Sequence, residues 1–366
     1  LEPEKGAAMI IGVAKEIKSH EYRVALTPHG VGQLVRDGHR VLVEHDAGTG
    51  SGYGNELYRS AGGELVSRAT LFDMAELLVK IKEPLPGEFD LLHHGQILFT
   101  YLHLAPNRAL TDLLLSRGVT AFAYETLEKD GGTPLLTPMS EIAGRMAPLI
   151  GSYYLQRFLG GNGLLPTGVP GVRPARALII GAGIVGRNAA RTSVGMGMET
   201  LILNRGAERL REMEHEFHSG VRTGFLNDAT LLDEIARADI VVGGLYAKGG
   251  KTPVVIDRQM LSVMQRGAVI VDVAIDQGGC AETSRPTTHD DPVFEIDGIM
   301  HYCVANMPGA YPHTSTIALT SATLPYIRLL AQLGGEEAVK SSPELKTALN
   351  ICRGAIMHPA LAASHG

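Results

Sequence analysis

The chain holds only three cysteines, Cys280, Cys303 and Cys352, among 366 residues. They are too few and too scattered for a disulfide framework or a zinc site, which points to a reducing compartment, the cytoplasm. No other metal site is legible. No apolar run reaches the roughly 18 residues of a membrane-crossing helix, and no signal peptide is visible. No basic block is present either. The formal net charge is −6, so nucleic acid is not an expected partner. A short-period repeat is also missing. What is abundant is glycine, 44 residues, which suggests many tight turns between strands and helices. A composition 45% hydrophobic and 20% charged suits a soluble globular enzyme, and the length accommodates two domains of ordinary size. Met9 reads as a natural start, and residues 1–8 as a disordered extension ahead of it.

The most informative stretch is RALIIGAGIVGRNAARTSVGMGMETLILNR, residues 176–205. A short apolar strand, Ala177 to Ile180, runs directly into Gly181-Ala182-Gly183-Ile184-Val185-Gly186. An Ala-rich helical segment follows, and then a second apolar run ending at Asn204. Strand, G-x-G-x-x-G, helix and strand within about thirty residues is the context of dinucleotide binding. Gly181 permits the tight turn, Gly183 lets backbone approach a pyrophosphate, and Gly186 lets the helix lie close on the strand. The helix N-terminus offers free N–H groups and the positive end of its dipole. The position that holds the adenosine ribose is Asn204, not an acid. Asparagine can hydrogen-bond a ribose but lacks the carboxylate that repels a 2′-phosphate, and Arg205 and Arg209 lie close by in sequence. NAD is the expected cofactor, and NADP remains open. The alternative for both arginines is plain solvation.

Elsewhere strands and helices alternate, which predicts parallel sheets with helices on both faces. Strands are expected at Met9–Val13, Arg40–Glu44, Glu76–Ile81, Gln96–Leu104 and Thr120–Tyr124. Helices are expected at Val31–Asp37, Glu56–Ala61 and Pro106–Arg117. Thr137-Pro138 opens a helix to about Phe158, with Thr as N-cap and Pro at the first helical position. Further strands are read at Val221–Leu226, Ile240–Leu245, Ala268–Ile275 and His301–Val304. A long helix is read at Thr314–Leu333, and a helical tail at Pro343–Met357. The fold class is α/β: two doubly wound Rossmann-like domains with a cleft between them as the default active site. Residues 9–136 with 310–366 form the expected substrate domain, and 137–309 the dinucleotide-binding domain.

Ligands of open α/β sheets bind beyond the C-terminal ends of strands. Arg23, Lys82, His103, Asp276, Asn306 and Met307 fall at such ends. The first four have plain alternatives: Arg23 a surface pair with Glu21, Lys82 a snorkelling strand end, His103 a satisfied core histidine, Asp276 a loop cap. Together they suit a small anionic substrate. A guanidinium clamps a carboxylate, and an imidazole exchanges protons near neutral pH. Hydride transfer belongs to the nicotinamide.

The segments IGVAKEIKSHEYRVALTP, VKIKEP, ILFTYLHLA, PMSEIAGR, GAGIVG, VDVAIDQGGC, SRPTTHDDP and YCVANMPG resemble the signature segments of the bacterial L-alanine dehydrogenase family, in its order, over residues 9–335. The nucleotide-binding subunit of membrane transhydrogenase is a relative on the same fold. The resemblance implies reversible NAD-dependent conversion of L-alanine to pyruvate and ammonia. Arg23 and Lys82 match substrate-binding positions, His103 the acid/base residue, and Asp276 the catalytic aspartate. Ser140 matches a cofactor contact, and Gly181, Gly183 and Gly186 the pyrophosphate loop. Asn306 and Met307 match residues beside nicotinamide and substrate. Tyr101 and Met139 are candidates to line the pocket. The resemblance also implies a homohexamer. Asn204 departs from it, because the family usually carries aspartate there. Alternatives are a dehydrogenase of another small amino or keto acid, such as glycine with glyoxylate, or a non-catalytic nucleotide-binding module.

Overall fold

The computed structural model describes residues 8–247 and 251–365; of the expected extension, residues 1–7 lie outside them. The described strands are β1 Ile10–Val13, β2 Arg40–Glu44, β3 Glu64–Val66, β4 Leu77–Val79, β5 Ile97–Thr100, β6 Thr120–Ala123, β7 Arg176–Ile180, β8 Glu199–Asn204, β9 Val221–Phe225, β10 Ile240–Gly243, β11 Val269–Asp272, β12 Val293–Ile296, β13 Ile299–Tyr302, β14 Leu349–Cys352 and β15 Ala355–Ile356. They divide between two compact units. One takes the chain up to Met139 and again from Tyr311; the other is Ser140–Ala310.

In the first unit the sheet order is β15-β14-β6-β5-β4-β1-β2-β3. Strands β1 to β6 are parallel and follow the doubly wound order 3-2-1-4-5-6, with the topological switch between β1 and β4. The helix Pro28–Arg36 starts three residues before its expected Val31, because Thr27 caps the amide of Gly30 and Pro28 takes the first helical position. The helix expected from Pro106 starts at Arg108, behind the cap Asn107, whose side chain accepts from Leu110. The helical tail expected over Pro343–Met357 is a correction. Only Pro343–Ala348 is helical. β14 then adds antiparallel to β6, and β15 folds back on it. The long helix Pro312–Ser341 breaks its helical geometry at Gly334, next to the expected end at Leu333.

In the second unit the order is β12-β13-β11-β10-β7-β8-β9. All neighbours are parallel except β12, and strands β7 to β11 with β13 repeat the 3-2-1-4-5-6 order. Successive residues of β7 enter opposite cores: Ala177 and Ile179 pack on one face, Leu178 and Ile180 on the other. A sheet covered on both faces needs apolar residues at every position, which is why these strands read as unbroken apolar runs. Several expected strand ends are shortened, among them β5, which stops at Thr100 rather than Leu104, and β10, which stops at Gly243 rather than Leu245. β11 stops at Asp272 and continues as the 3₁₀ turn Val273–Gln277, and β4 stops at Val79.

Candidate functional site

Arg23 lies in the loop after β1. It does pair with Glu21, but in the interior rather than on the surface: its relative exposure is 1%. Its Nε donates to Glu21 Oε1 at 2.7 Å and its Nη2 to Oε2 at 2.5 Å, so Glu21 takes one whole edge of the fork. Nη1 meets the sulfur of Met139 at 3.0 Å. The backbone is fixed on both sides. The Ser51 hydroxyl donates to the Tyr22 carbonyl at 2.8 Å, and the Val24 amide donates to Thr316 Oγ1 at 3.2 Å. Burial opposes the guanidinium charge, and Glu21 more than restores it.

Lys82 sits three residues past β4, on the other side of the switch point, and is buried. Its Nζ stands 5.8 Å from the centroid of the Tyr101 ring. Among the described residues its ammonium has no hydrogen-bond or ion-pair partner. Burial first, and then the charge of Arg23, push its pKa below the ordinary lysine range. A second lysine two positions earlier is fully paired. Lys80 Nζ lies 3.2 Å from Glu16 and 2.8 Å from Glu88, and Glu16 Oε1 accepts the Ile81 amide at 2.6 Å. The Glu–Lys–Glu set thus secures the turn that carries Lys82.

His103 follows β5 and is exposed, so it is not the satisfied core histidine of the plain alternative. Its backbone is left-handed, φ 48°, a costly conformation outside glycine. The Glu125 carboxylate holds it there, accepting the His103 amide at 2.6 Å and the Leu102 amide at 3.2 Å. The ring stacks on Tyr101 with centroids 6.0 Å apart, and the Tyr101 hydroxyl donates to the Leu135 carbonyl at 2.6 Å. The first unit therefore gathers Arg23, Met139, Lys82, Tyr101 and His103 at the C-terminal ends of β1, β4 and β5.

The glycine run of the second unit is tightly constrained at Gly181 and Gly186 and open at Gly183. Gly181 has φ 103°. A Cβ on Gly186 would lie 1.8 Å from the Gly181 carbonyl oxygen, so only glycine fits. A Cβ on Gly183 would meet nothing within 4 Å, in open space before the helix Ile184–Gly195, whose N-terminus has no side-chain cap. Uncapped N–H groups facing open space suit a pyrophosphate. Ala182 is buried, Val185 half-buried and Ile184 exposed. Asn204 ends β8. Its Oδ1 accepts the Ala182 amide at 3.2 Å, and its Nδ2 donates to the Gly206 carbonyl at 3.0 Å. Arg205 is exposed, while Arg209 is not merely solvated but pairs with Glu212 at 2.8 Å. Ser140, half-buried, lies in the first turn of the helix Thr137–Tyr154.

Asp276 is exposed in the 3₁₀ turn after β11, four residues beyond the strand it was expected to end. Asn306 follows β13 in a left-handed conformation, φ 64°, and Met307 is buried in the core of the second unit. Three acids that position these groups escape a sequence reading, Glu16, Glu125 and Asp272, while Glu21 is readable as the partner of Arg23 but not as a buried one. Their one signal is charge lying close to apolar strand ends, as in IGVAKE, AFAYE and VDVAID, where a carboxylate must be paired or saturated with donors.

Sequence models of "Alanine dehydrogenase/PNT, N-terminal domain" and "Alanine dehydrogenase/PNT, C-terminal domain" match residues 12–143 and 147–359. The chain is 48% identical over 359 residues to alanine dehydrogenase of Bacillus subtilis (strain 168), covering 98% of this chain and 95% of that one. It is 49% identical over 360 residues to alanine dehydrogenase of Methanococcus maripaludis, covering 98% and 96%. A solved L-alanine dehydrogenase superposes with a TM-score of 0.95 at 44% identity, over 98% of this chain and 99% of that one. A transhydrogenase from Sinorhizobium meliloti, 24% identical with a TM-score of 0.81 over 96% and 99%, shares the fold. By motif order, sheet topology and likeness along its length, the chain belongs to the alanine dehydrogenase/PNT family.

Proposed function

We infer that this chain catalyses the reversible NAD-dependent oxidative deamination of L-alanine to pyruvate and ammonia. In this reading the first unit receives the amino acid and the second the dinucleotide. The observation that carries it is the buried pair Arg23 and Lys82: two cations side by side, one with an ammonium that has no partner among the described residues. Glu21 compensates Arg23, but the Lys82 ammonium beside it is unfavourable alone and favourable once an anion arrives. Because Glu21 holds the Nε–Nη2 edge of Arg23, a substrate carboxylate meets the Nη1 side, in place of the Met139 sulfur, together with Lys82.

A bound NAD⁺ supplies the hydride acceptor. Arg23 and Lys82 hold the carboxylate, and in the keto acid the carbonyl oxygen as well. Met139 and Tyr101 line the side that receives the methyl group. His103 exchanges the proton of the substrate oxygen as water adds to the imine and the carbinolamine collapses. Asp276 orients water and ammonia and offsets the charge on the imine. The sum is alanine zwitterion, NAD⁺ and water giving pyruvate, NADH, ammonium and a proton. Ser140, Gly181 to Gly186, Asn204 and Met307 serve the dinucleotide, and Asn306 the substrate.

Asn204 offers no carboxylate to repel a 2′-phosphate, and Arg205 is exposed beside it, so some turnover with NADP⁺ is expected. Exposed Leu149, Tyr153, Phe158, Leu165, Val169 and Val172 within one stretch support association between copies of the chain, and the family resemblance sets the expected assembly as a homohexamer. Placement in the cytoplasm belongs to the same reading. No helix among the described residues is long and apolar enough to cross a membrane.

The test is the initial rate of nicotinamide reduction with L-alanine at alkaline pH, run with NAD⁺ and NADP⁺ in parallel and with glycine as competing substrate. Turnover of L-alanine with NAD⁺ above glycine is expected. Asn204→Asp should raise the NAD⁺/NADP⁺ ratio of kcat/KM by about tenfold or more through charge repulsion. No turnover with either dinucleotide refutes the reading.

A further inference from the structure

Asp272 ends β11 and is 0% exposed. No cation among the described residues ion-pairs with it. A carboxylate buried without a counter-charge persists only when N–H and O–H donors saturate it. Here Oδ1 accepts the Ala274 amide at 3.1 Å. Oδ2 accepts the Ser284 hydroxyl at 2.6 Å, the Cys280 amide at 2.8 Å and the Ala281 amide at 3.4 Å. Burial and then this carboxylate raise the pKa of the adjacent Cys280 thiol well above its ordinary value, so the cysteine is a packing group here rather than a nucleophile.

These donors come from both ends of the segment 273–284, so one carboxylate closes the whole loop upon itself. Capping the 3₁₀ turn needs only the bond from Ala274. The bonds from Cys280, Ala281 and Ser284 exceed what a cap requires. The surrounding glycines are cut to the same feature. A Cβ on Gly279 would come within 2.8 Å of Asp272 Oδ2, and one on Gly243 within 3.0 Å of Oδ1. Gly279 also has φ 82°. Asp276 stands on the short turn between the two anchored ends. Its own side chain has no hydrogen-bond or ion-pair partner among the described residues, so its position is set by the loop alone.

We propose that Asp272 is a positioning residue for the reaction: by gathering Ala274, Cys280, Ala281 and Ser284 around one buried carboxylate, it fixes the loop that presents Asp276. This rests on the reading of Asp276 as catalytic. The test is a double-mutant cycle on the full chain, reading kcat, KM for L-alanine and the enhancement of NADH fluorescence on binding. Ser284→Ala removes one donor and should lower kcat about three- to tenfold, with KM and NADH affinity little changed. Asp272→Asn keeps the size but turns an amide toward N–H donors, and should lower kcat about a hundredfold. On an Asp276→Asn background, Ser284→Ala should change the residual kcat by less than about twofold, because its route of action is already cut. A merely structural role would lower kcat by the same factor on both backgrounds, and that outcome overturns the proposal. If Asp272→Asn does not fold, the Ser284→Ala cycle decides alone. A slow Asp276→Asn enzyme beside fast Ser284→Ala and Asp272→Asn enzymes removes the link and leaves Asp276 catalytic. A fast Asp276→Asn enzyme removes the reading of Asp276, and the link with it.

Discussion

Replacing Lys82 by methionine should move activity and stability in opposite directions. Methionine keeps the apolar stem and drops the ammonium. A hydrogen bond from a charged donor contributes about 1.5–3 kcal/mol, so losing this one from the substrate carboxylate should lower kcat/KM for L-alanine by about ten- to 150-fold. Stability should rise at neutral pH. The ammonium is buried and lies beside Arg23; Glu21 and Glu83 offset this only in part, and among the described residues no anion ion-pairs with it. The pH dependence has a definite sign. The folded pKa of Lys82 lies below the unfolded one, so the unfolded chain binds the extra proton between the two values. The penalty is therefore complete below the folded pKa. It shrinks as pH rises and vanishes near the unfolded value of about 10.4. Thermal melts of wild type and Lys82→Met across this range, with initial rates at each pH, are the assay. A variant less stable than wild type at pH about 7, or one of unchanged kcat/KM, refutes the reasoning, because the ammonium would then be compensated in the free protein or idle in the reaction.

Glu21→Gln breaks a pair in which both side chains are buried. It should cost about 3–5 kcal/mol of stability, measured by denaturant unfolding, and raise KM for pyruvate as Arg23 loses its bidentate partner. Gly186→Ala forces a methyl group against the Gly181 carbonyl. NADH binding, followed by fluorescence titration, should weaken by more than about tenfold, consistent with a displaced helix terminus.

Most strands of the two doubly wound sheets were legible because each announces itself locally as an apolar run; β3, a three-residue edge strand with no buried residue, carries no such run and was not legible. Nor were the antiparallel additions. β14 depends on a partner, β6, more than two hundred residues away in the chain, and no local pattern encodes that pairing. Its turn, Arg353-Gly354, has positive φ at both positions but lacks the asparagine or aspartate that marks such hairpins. The hairpin of β12 and β13 did carry the signal, Asp297-Gly298 between alternating apolar residues, and it went unread. At the candidate site the residue types at the strand ends were readable, but their burial was not. Composition places charged side chains at the surface, whereas Arg23, Lys80 and Glu88 lie in the interior because each finds a partner there.

The hydroxyl of Thr316 that holds the Val24 amide belongs to a part of the chain 292 residues downstream. During synthesis the segment 140–310 is complete before that hydroxyl exists, so the second unit can fold while the first still lacks Thr316, β14 and β15. Arg23 precedes the whole second unit in the chain, yet its loop is among the last to be set in place. A nascent chain arrested before residue 316 would carry the glycine turn of the second unit without the bond that fixes the Arg23 loop.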